Sequence, residues 1–315
     1  MNCRKLILVF ALILTSTSIQ GQSKPPIPNQ DRYRKVFFET LGKWNKILEA
    51  KKLPVIPCNP NDVRVEYGSE LSEDDIVEAD INPVFGVKFS PDSPNVSEVA
   101  RGIPLEWLGS YDAPPKPTWT PDQAIKEAKF WYEAVIGKLP NNVGKPVAKF
   151  SPKPNSHKFR NGQWTVTWPR VDDEGHPFRM DNIYCTLDEK WGADFLTCFF
   201  VSKFKDGQNI TISSSQATEM GISVAKKLLP SPMFSQWTSG LTLQGDTKTE
   251  LQIVNPNHIL KYKSLNDLPP EIDLAARLVW VVKCHISNGK GDDHYLYLWI
   301  DTETKEVIGC DFKDE

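Results

Sequence analysis

The sequence predicts an α+β fold with two tandem units, each of one helix packed on an antiparallel β-sheet, preceded by an irregular N-terminal region with one amphipathic helix. Two predicted helices open with the same capping pattern, both lead into strands with alternating apolar residues, and each group of strands contains one that ends in Asp. The 315 residues are 40% hydrophobic and 10% aromatic, which provides material for a core. Disorder, collagen and a polytopic membrane protein are thereby excluded.

The first 22 residues have the layout of a secretory signal peptide. Arg4 and Lys5 precede nine apolar residues at 6–14, and a small polar stretch follows. Nine residues are too few to cross a bilayer, which needs roughly 20. We therefore expect a secreted or periplasmic chain that is free of the membrane after cleavage. Without Arg4 and Lys5, 35 basic residues stand against 40 acidic ones, so no affinity for nucleic acid is expected.

Residues 23–118 form the predicted N-terminal region. An amphipathic helix at 31–52 carries the core stripe Phe37, Leu41, Trp44 and Leu48. Its basic residues indicate either a solvated helix face or a contact with an anionic surface. Prolines then divide the chain into short pieces, which we interpret as irregular, and a Pro-rich linker at 113–117 marks a domain boundary.

The first predicted unit spans residues 119–205. Thr120 and Gln123 form a capping box, and Ala124, Ala128 and Trp131 share one face of the helix that it opens. Strands are predicted at 164–168, 183–187 and 195–200 from their alternating or β-branched sequences.

The second predicted unit spans residues 206–315. Ser213 and Gln216 repeat the capping box, and the strand at 296–301 ends in Asp301 as the earlier strand ends in Asp188. Further strands are predicted at 279–282 and 307–312. The capping residues of the two units lie 93 positions apart and the Asp residues 113 apart, which indicates an internal duplication with a longer helix-to-strand connection in the second copy.

These features resemble the PepSY-type domain. The similarity lies in a capped helix, a Trp-Val-Val strand at 280–282, and a strand that ends in Asp301 before the turn and strand TETKEVI at 302–308. The family more often has Gly where this chain has Lys305. The resemblance covers residues 206–315 well and 119–205 less well, and it does not extend to 23–118. It implies a cystatin-like helix-on-sheet fold and a binding or regulatory role, and it brings no catalytic residues.

Five cysteines remain after signal cleavage, and none lies in a C-x-x-C pair that would indicate a zinc or redox site. An odd number leaves at least one thiol unpaired within the chain. Cys185 and Cys198 lie on two predicted strands joined by a short polar connection. We therefore predict a disulfide between them across a hairpin.

No catalytic signature is present, and no cofactor or metal is predicted. His294 follows two Asp residues, which indicates either a metal or general-base site or a solvated turn. Cys284 and His285 are adjacent on a strand, so their side chains should point to opposite faces. Asp172 begins an acidic stretch that we interpret as a turn.

The strand at 295–300 has the most informative pattern. Period two places Tyr295, Tyr297 and Trp299 on one face and the aliphatic residues between them on the other, which should pack on the helix. The aromatic face is either covered by another part of the chain or is an exposed ladder for a protein, peptide or glycan. The predicted function is a secreted or periplasmic, non-enzymatic binding or structural interaction module that acts through its sheets. The alternative is a secreted hydrolase with a dispersed active site.

Overall fold

A computed structural model describes most of the chain. The described residues are 27–67, 76–81, 84–90, 95–102, 116–152, 162–200, 202–204, 207–230, 240–261, 269, 272–288 and 293–314. The predicted signal peptide lies outside them, as do most of the Pro-rich linker and the acidic residue Asp292 beside His294.

Within the described residues the fold has three helices and twelve strands, and each helix precedes four strands in the chain. The helices are α1 Gln30–Ala50, α2 Pro121–Val135 and α3 Ser214–Leu228. The strands are β1 Arg64–Tyr67, β2 Val77–Ile81, β3 Phe85–Phe89, β4 Val96–Arg101, β5 Val147–Ser151, β6 Gln163–Val171, β7 Pro177–Asp188, β8 Gly192–Phe199, β9 Thr242–Val254, β10 Arg277–Ser287, β11 Asp293–Asp301 and β12 Val307–Asp314. A short 3-10 helix lies at Pro60–Asp62. None of the described helices is both long and apolar enough to span a bilayer.

The sheet corrects the predicted fold class. Instead of two separate helix-on-sheet units, the strands form one twelve-stranded mixed sheet. Eight strands lie side by side in the order β1-β2-β3-β4-β8-β7-β6-β5, all antiparallel. Strands β9 to β12 form an antiparallel meander. The meander joins the eight strands through a single parallel bridge between Phe178 and Ile253.

The N-terminal region is where the prediction differs most from the structure. The prediction of a helix at 31–52 is confirmed by α1, but the pieces between the prolines are strands β1 to β4, and β4 pairs with β8. Pro57 lies in the segment before β1 and Pro60 begins the 3-10 helix, so neither has to donate a ladder hydrogen bond, which proline cannot do. The strands have four to six residues, so frequent prolines are compatible with them. The prediction also missed β5 and β9.

The two capping boxes are present as predicted. Thr120 and Gln123 exchange side-chain and backbone hydrogen bonds at the start of α2, and Ser213 and Gln216 do the same at α3. These bonds satisfy amides that have no partner within the helix. The apolar stripes of the helices then pack on the sheet.

Two main cores lie beneath the helices. In the first, α1 and α2 pack on one face of the eight strands, and the rings of Trp44 and Trp131 are centred 4.9 Å apart. In the second, α3 packs on the aliphatic residues of β11, as predicted for Leu296, Leu298 and Ile300. The helices therefore cover one face of each part of the sheet.

The strand-ending Asp residues have the same role in both places. The Asp188 Oδ1 accepts from the backbone amides of Lys190 and Trp191, and the Asp301 Oδ1 accepts from the amides of Glu303 and Thr304. Both carboxylates therefore organise the turn that follows the strand. In the second turn, Lys305 has a φ of 65°, the left-handed conformation that favours glycine. Lys305 therefore adopts a backbone conformation that favours glycine, at the position where the resembled family more often has Gly.

Buried polar contacts link β6 and β7 to the segment after β8, and an ion pair links β7 to the meander. Arg170 donates to the fully buried Asp181 at 2.7 Å, and the Ser202 hydroxyl donates to Asp181 at 2.7 Å. Arg179 of β7 forms an ion pair with Asp311 of β12 at 3.2 Å. Since Asp181 is removed from water, loss of Arg170 would leave its buried carboxylate without its ion pair.

Candidate interaction surface

The predicted aromatic face of β11 is largely covered. Tyr297 and Trp299 are 9% and 6% exposed and belong to a small apolar cluster, while Tyr295 is half-buried beside it. The Arg179 guanidinium of β7 lies 4.2 Å from the centre of the Tyr297 ring. The Lys283 Nζ lies 3.7 Å from the Tyr295 ring centre. This face is therefore an internal contact between β7 and the meander, and it does not form a free ladder at Tyr297 and Trp299.

The eight-stranded part of the sheet has a different second face. Its first face carries the row Val166, Cys185, Leu196 and Val99, which are paired across β6, β7, β8 and β4 and are buried under α1 and α2. Side chains one position along each strand point the other way. We call this second side the open face. Its paired residues on β6 to β8 are Thr165, Thr167, Tyr184, Thr186, Phe195 and Thr197.

The centre of the open face combines aromatic rings with threonine hydroxyl groups. Tyr184 and Phe195 meet edge to face with ring centres 5.9 Å apart, and both are half-buried. Phe199, next along the same face of β8, is 46% exposed. Met180 of β7 and Val147 of β5 are 56% and 64% exposed at its margin. Clustered exposed apolar residues of this kind mark interaction surfaces.

One side of the open face is acidic. Glu66, Glu78, Lys88 and Glu98 form a row across β1 to β4, and Asp80 lies in the next row. Lys88 pairs with Glu98 at 3.2 Å. Burial raises the pKa of Glu78, and the carboxylates of Asp80, Glu98 and Glu66 raise it further, while Lys88 lowers it.

An unmet acceptor lies within this acidic side. The Asp80 Oδ1 is shielded from water, and within the described part of the chain it receives no hydrogen bond. A buried acceptor without a donor costs free energy of about 1–3 kcal/mol. A cationic partner surface would reduce the repulsion around Glu78.

The sequence pattern that indicates the open face is present but was not used in the prediction. In β7 the partly exposed Asn182 and Tyr184 alternate with the buried Asp181, Ile183 and Cys185. The same period-two argument applied to β11 therefore also applies to β7. Only the packing of the chain shows that the aromatic side of β11 is covered while that of β7 is exposed.

The predicted disulfide is not formed, and both of its cysteines are free thiols. The hairpin of β7 and β8 exists, but Cys185 lies opposite Leu196 and Cys198 lies opposite Ile183. The two cysteines are thus diagonal neighbours, whose Cβ atoms in antiparallel pairs lie roughly 7–8 Å apart. A disulfide needs about 3.5–4.5 Å.

The thiols are poor nucleophiles. Burial raises the pKa of all five cysteines, that of Cys284 to about 11 and that of Cys310 to about 12. Cys284 points into the core beneath α3, whereas the neighbouring His285 contacts Asp246 at 2.8 Å on the other side, as expected from strand geometry. A thiolate is the reactive form, and raised pKa values keep these groups protonated.

Other polar groups singled out in the sequence have local partners. The Asp172 carboxylate accepts from the amides of Glu174 and His176 within a tight turn, which confirms that interpretation. His294 stacks on Phe312 with ring centres 5.4 Å apart. Over the residues that the structure describes, no three His, Cys, Asp or Glu side chains are grouped to hold a metal ion.

No model of a known protein family matches the chain, and no curated protein matches it. Among solved structures, the chain is similar to the Bacillus megaterium YpeB C-terminal domain, with a TM-score of 0.40 and 11% sequence identity over 91% of this chain and 98% of that one. A similarity at this TM-score carries no argument about what the chain binds, so the open face is assessed on its own chemistry.

Proposed function

We propose that this chain is a non-catalytic, extracytoplasmic module that binds a partner protein through the open face. The observation that carries the proposal is the aromatic row of Tyr184 and Phe195, which are partly exposed, and Phe199, which is 46% exposed, on strands whose opposite side packs under α1 and α2. Aromatic residues on a rigid sheet lose little side-chain freedom on binding, which suits them as anchors of an interface.

The partner surface has to combine an apolar patch with a basic one. The apolar patch would cover the aromatic centre of the open face. The basic patch would lie over Glu66 and Glu78, where it would lower the repulsion that adds to burial in raising the pKa of Glu78. Because this side is acidic, a polyanion such as nucleic acid is disfavoured.

The predicted signal peptide supports an extracytoplasmic location. In that location the partner would be another exported protein or the outer part of a membrane protein. The raised pKa values of the thiols support a role without covalent catalysis.

The experiment compares two phenylalanines on opposite sides of the sheet. Phe199 on the open face is 46% exposed, and Phe130 on α2 is 48% exposed. The tagged chain and its Phe199→Ser and Phe130→Ser variants are incubated with the extracytoplasmic proteins of the producing organism, and bound proteins are quantified by mass spectrometry. We expect a protein that the parent chain and Phe130→Ser retain equally and that Phe199→Ser retains at least about tenfold less.

A charge reversal tests the acidic side separately. Glu66→Lys should weaken capture of the same protein, and Glu219→Lys on α3 should not, since both residues are exposed and differ in location. Capture should also fall with added salt. Equal retention by the Phe199→Ser and Phe130→Ser variants, or no protein that distinguishes them, would refute the proposal.

A further inference from the structure

A cavity of 340 Å³ lies away from the open face, at one end of the β9–β12 meander. Its walls include Lys261 and Ile272 from the connection between β9 and β10, and Thr304 from the turn between β11 and β12. Its charged and titratable lining comprises His258, Lys261, Asp273, Arg277 and Glu306. The volume falls at the lower end of the range for small-molecule sites.

Arg277 is held in a defined orientation in this cavity. Its Nη1 donates to the Asp301 Oδ2 at 3.3 Å, and its Nη2 donates to the Asp273 Oδ2 at 3.1 Å. Asp301 is fully buried. The Arg277 Nε is also shielded from water and donates to no group within the described residues. The guanidinium is thus fixed before any ligand arrives, which lowers the entropic cost of binding.

His258 lies in the wall of the cavity with its backbone in a strained conformation. Its φ is 46°, in the left-handed region, and its amide donates to the Ile308 carbonyl at 2.9 Å while its carbonyl accepts from the Lys261 amide at 2.8 Å. Burial lowers the pKa of His258, and the nearby Lys261 and Arg277 lower it further, while Glu306 opposes them. Non-glycine residues in this conformation cluster at binding sites, where the surrounding structure holds them.

The charges of the lining do not suit a ligand of one sign. An anion would be attracted by Lys261 and Arg277 but repelled by the carboxylates of Asp273 and Glu306. A cation would be attracted by the two carboxylates and repelled by the two basic groups. A small molecule with both charges satisfies both sets. We propose that this cavity binds a small zwitterion of the amino-acid or dipeptide class, with its carboxylate toward Lys261 and Arg277 and its ammonium toward Asp273 and Glu306.

The test uses dipeptides with and without their terminal charges. Alanylalanine at up to about 10 mM is titrated into the purified chain by calorimetry, and the thermal unfolding midpoint is followed in parallel. The N-acetylated form, the C-amidated form and the doubly capped form serve as comparisons. We expect each singly capped form to bind at least about tenfold more weakly than alanylalanine, and the doubly capped form not to bind.

Variants then assign the binding to this cavity. Lys261→Gln and Glu306→Gln should each weaken binding of alanylalanine by about tenfold, while the exposed pair Lys248→Gln and Glu250→Gln on β9 should leave it unchanged. His258→Gly fits the local φ and therefore keeps the fold while removing the imidazole, so it should raise the unfolding midpoint and weaken binding. Equal binding of charged and capped dipeptides, no binding of alanylalanine, or binding unaffected by Lys261→Gln and Glu306→Gln would overturn the proposal.

Discussion

Replacement of Tyr297 by Ser separates a covered aromatic face from a free one. In the structure the Tyr297 ring lies between the cluster of Val254, Val281 and Trp299 and the guanidinium of Arg179. Serine removes the ring and leaves a space that these neighbours cannot fill completely. It also removes the cation–π contact that links β7 to the meander.

The expected loss of stability in Tyr297→Ser follows from the burial of the Tyr297 ring. Truncation of a buried aromatic residue destabilises a protein by about 3–5 kcal/mol, and a partly desolvated cation–π contact adds about 1 kcal/mol. Tyr297 is 9% exposed and lies near the surface end of the cluster, so we expect a loss of about 3 kcal/mol from the free energy of unfolding. A tyrosine on a free binding surface would lose about 1 kcal/mol or less.

The assay is urea unfolding followed by circular dichroism, with Tyr184→Ser as the matched control. Tyr184 has the same side chain on the open face and makes one edge contact with Phe195. Tyr184→Ser should cost about 1 kcal/mol, leaving a difference of about 2 kcal/mol between the variants. Equal losses in the two variants, or a loss below about 1 kcal/mol for Tyr297→Ser, would refute the assignment of the two faces.

Three further substitutions test other parts of the structure. Burial raises the pKa of Asp194 to about 6. The folded state therefore binds the carboxyl proton of Asp194 more tightly than the unfolded state does. The free energy of unfolding should fall by up to about 3 kcal/mol as the pH rises from about 4 to about 6. Asp194→Asn should remove that slope in urea unfolding across this range, and an unchanged slope would contradict the pKa. Lys305→Gly should add about 1 kcal/mol of stability by relieving the left-handed φ, and a loss of stability would show that the turn differs. Gly309→Ala would place a Cβ 2.5 Å from the Trp299 Cε3 and should cost about 2 kcal/mol, while Gly245→Ala meets no atom within 4 Å and should be nearly neutral; equal thermal midpoints would argue against this packing.

Sequence patterns correctly predicted the features that depend on residues close together in the chain, such as helix starts. The capping pairs at Thr120 and Ser213 correctly placed the starts of α2 and α3, because unpaired amides at a helix start need nearby acceptors. The helix predicted at 31–52 is α1 within two residues at each end. Alternation placed parts of β6, β7 and β8 in the same way.

Sequence patterns gave wrong or missing predictions for strands that depend on pairing with strands distant in the chain. The frequent prolines of residues 23–118 predict an irregular region, but this part of the chain contains the short strands β1 to β4. β9 was missed because its sequence is polar and includes Gly245, yet it pairs with β10 over most of its length. A strand is stabilised by its neighbours, which a local pattern does not contain. The same reason explains the disulfide, since the diagonal offset of Cys185 and Cys198 depends on register.

The sequence by itself determined the compositional class, the helices and their caps, and the period-two faces of several strands, because these depend on residues close together in the chain. The tertiary structure decided that β4 pairs with β8, so that the N-terminal strands join one continuous sheet. It also decided which aromatic face is buried. Tyr297 and Tyr184 have the same strand pattern around them, but Arg179 reaches only the first, and α1 and α2 pack on the side of the sheet away from the second. Exposure is a property of the packed chain, since it depends on which distant segment covers a residue.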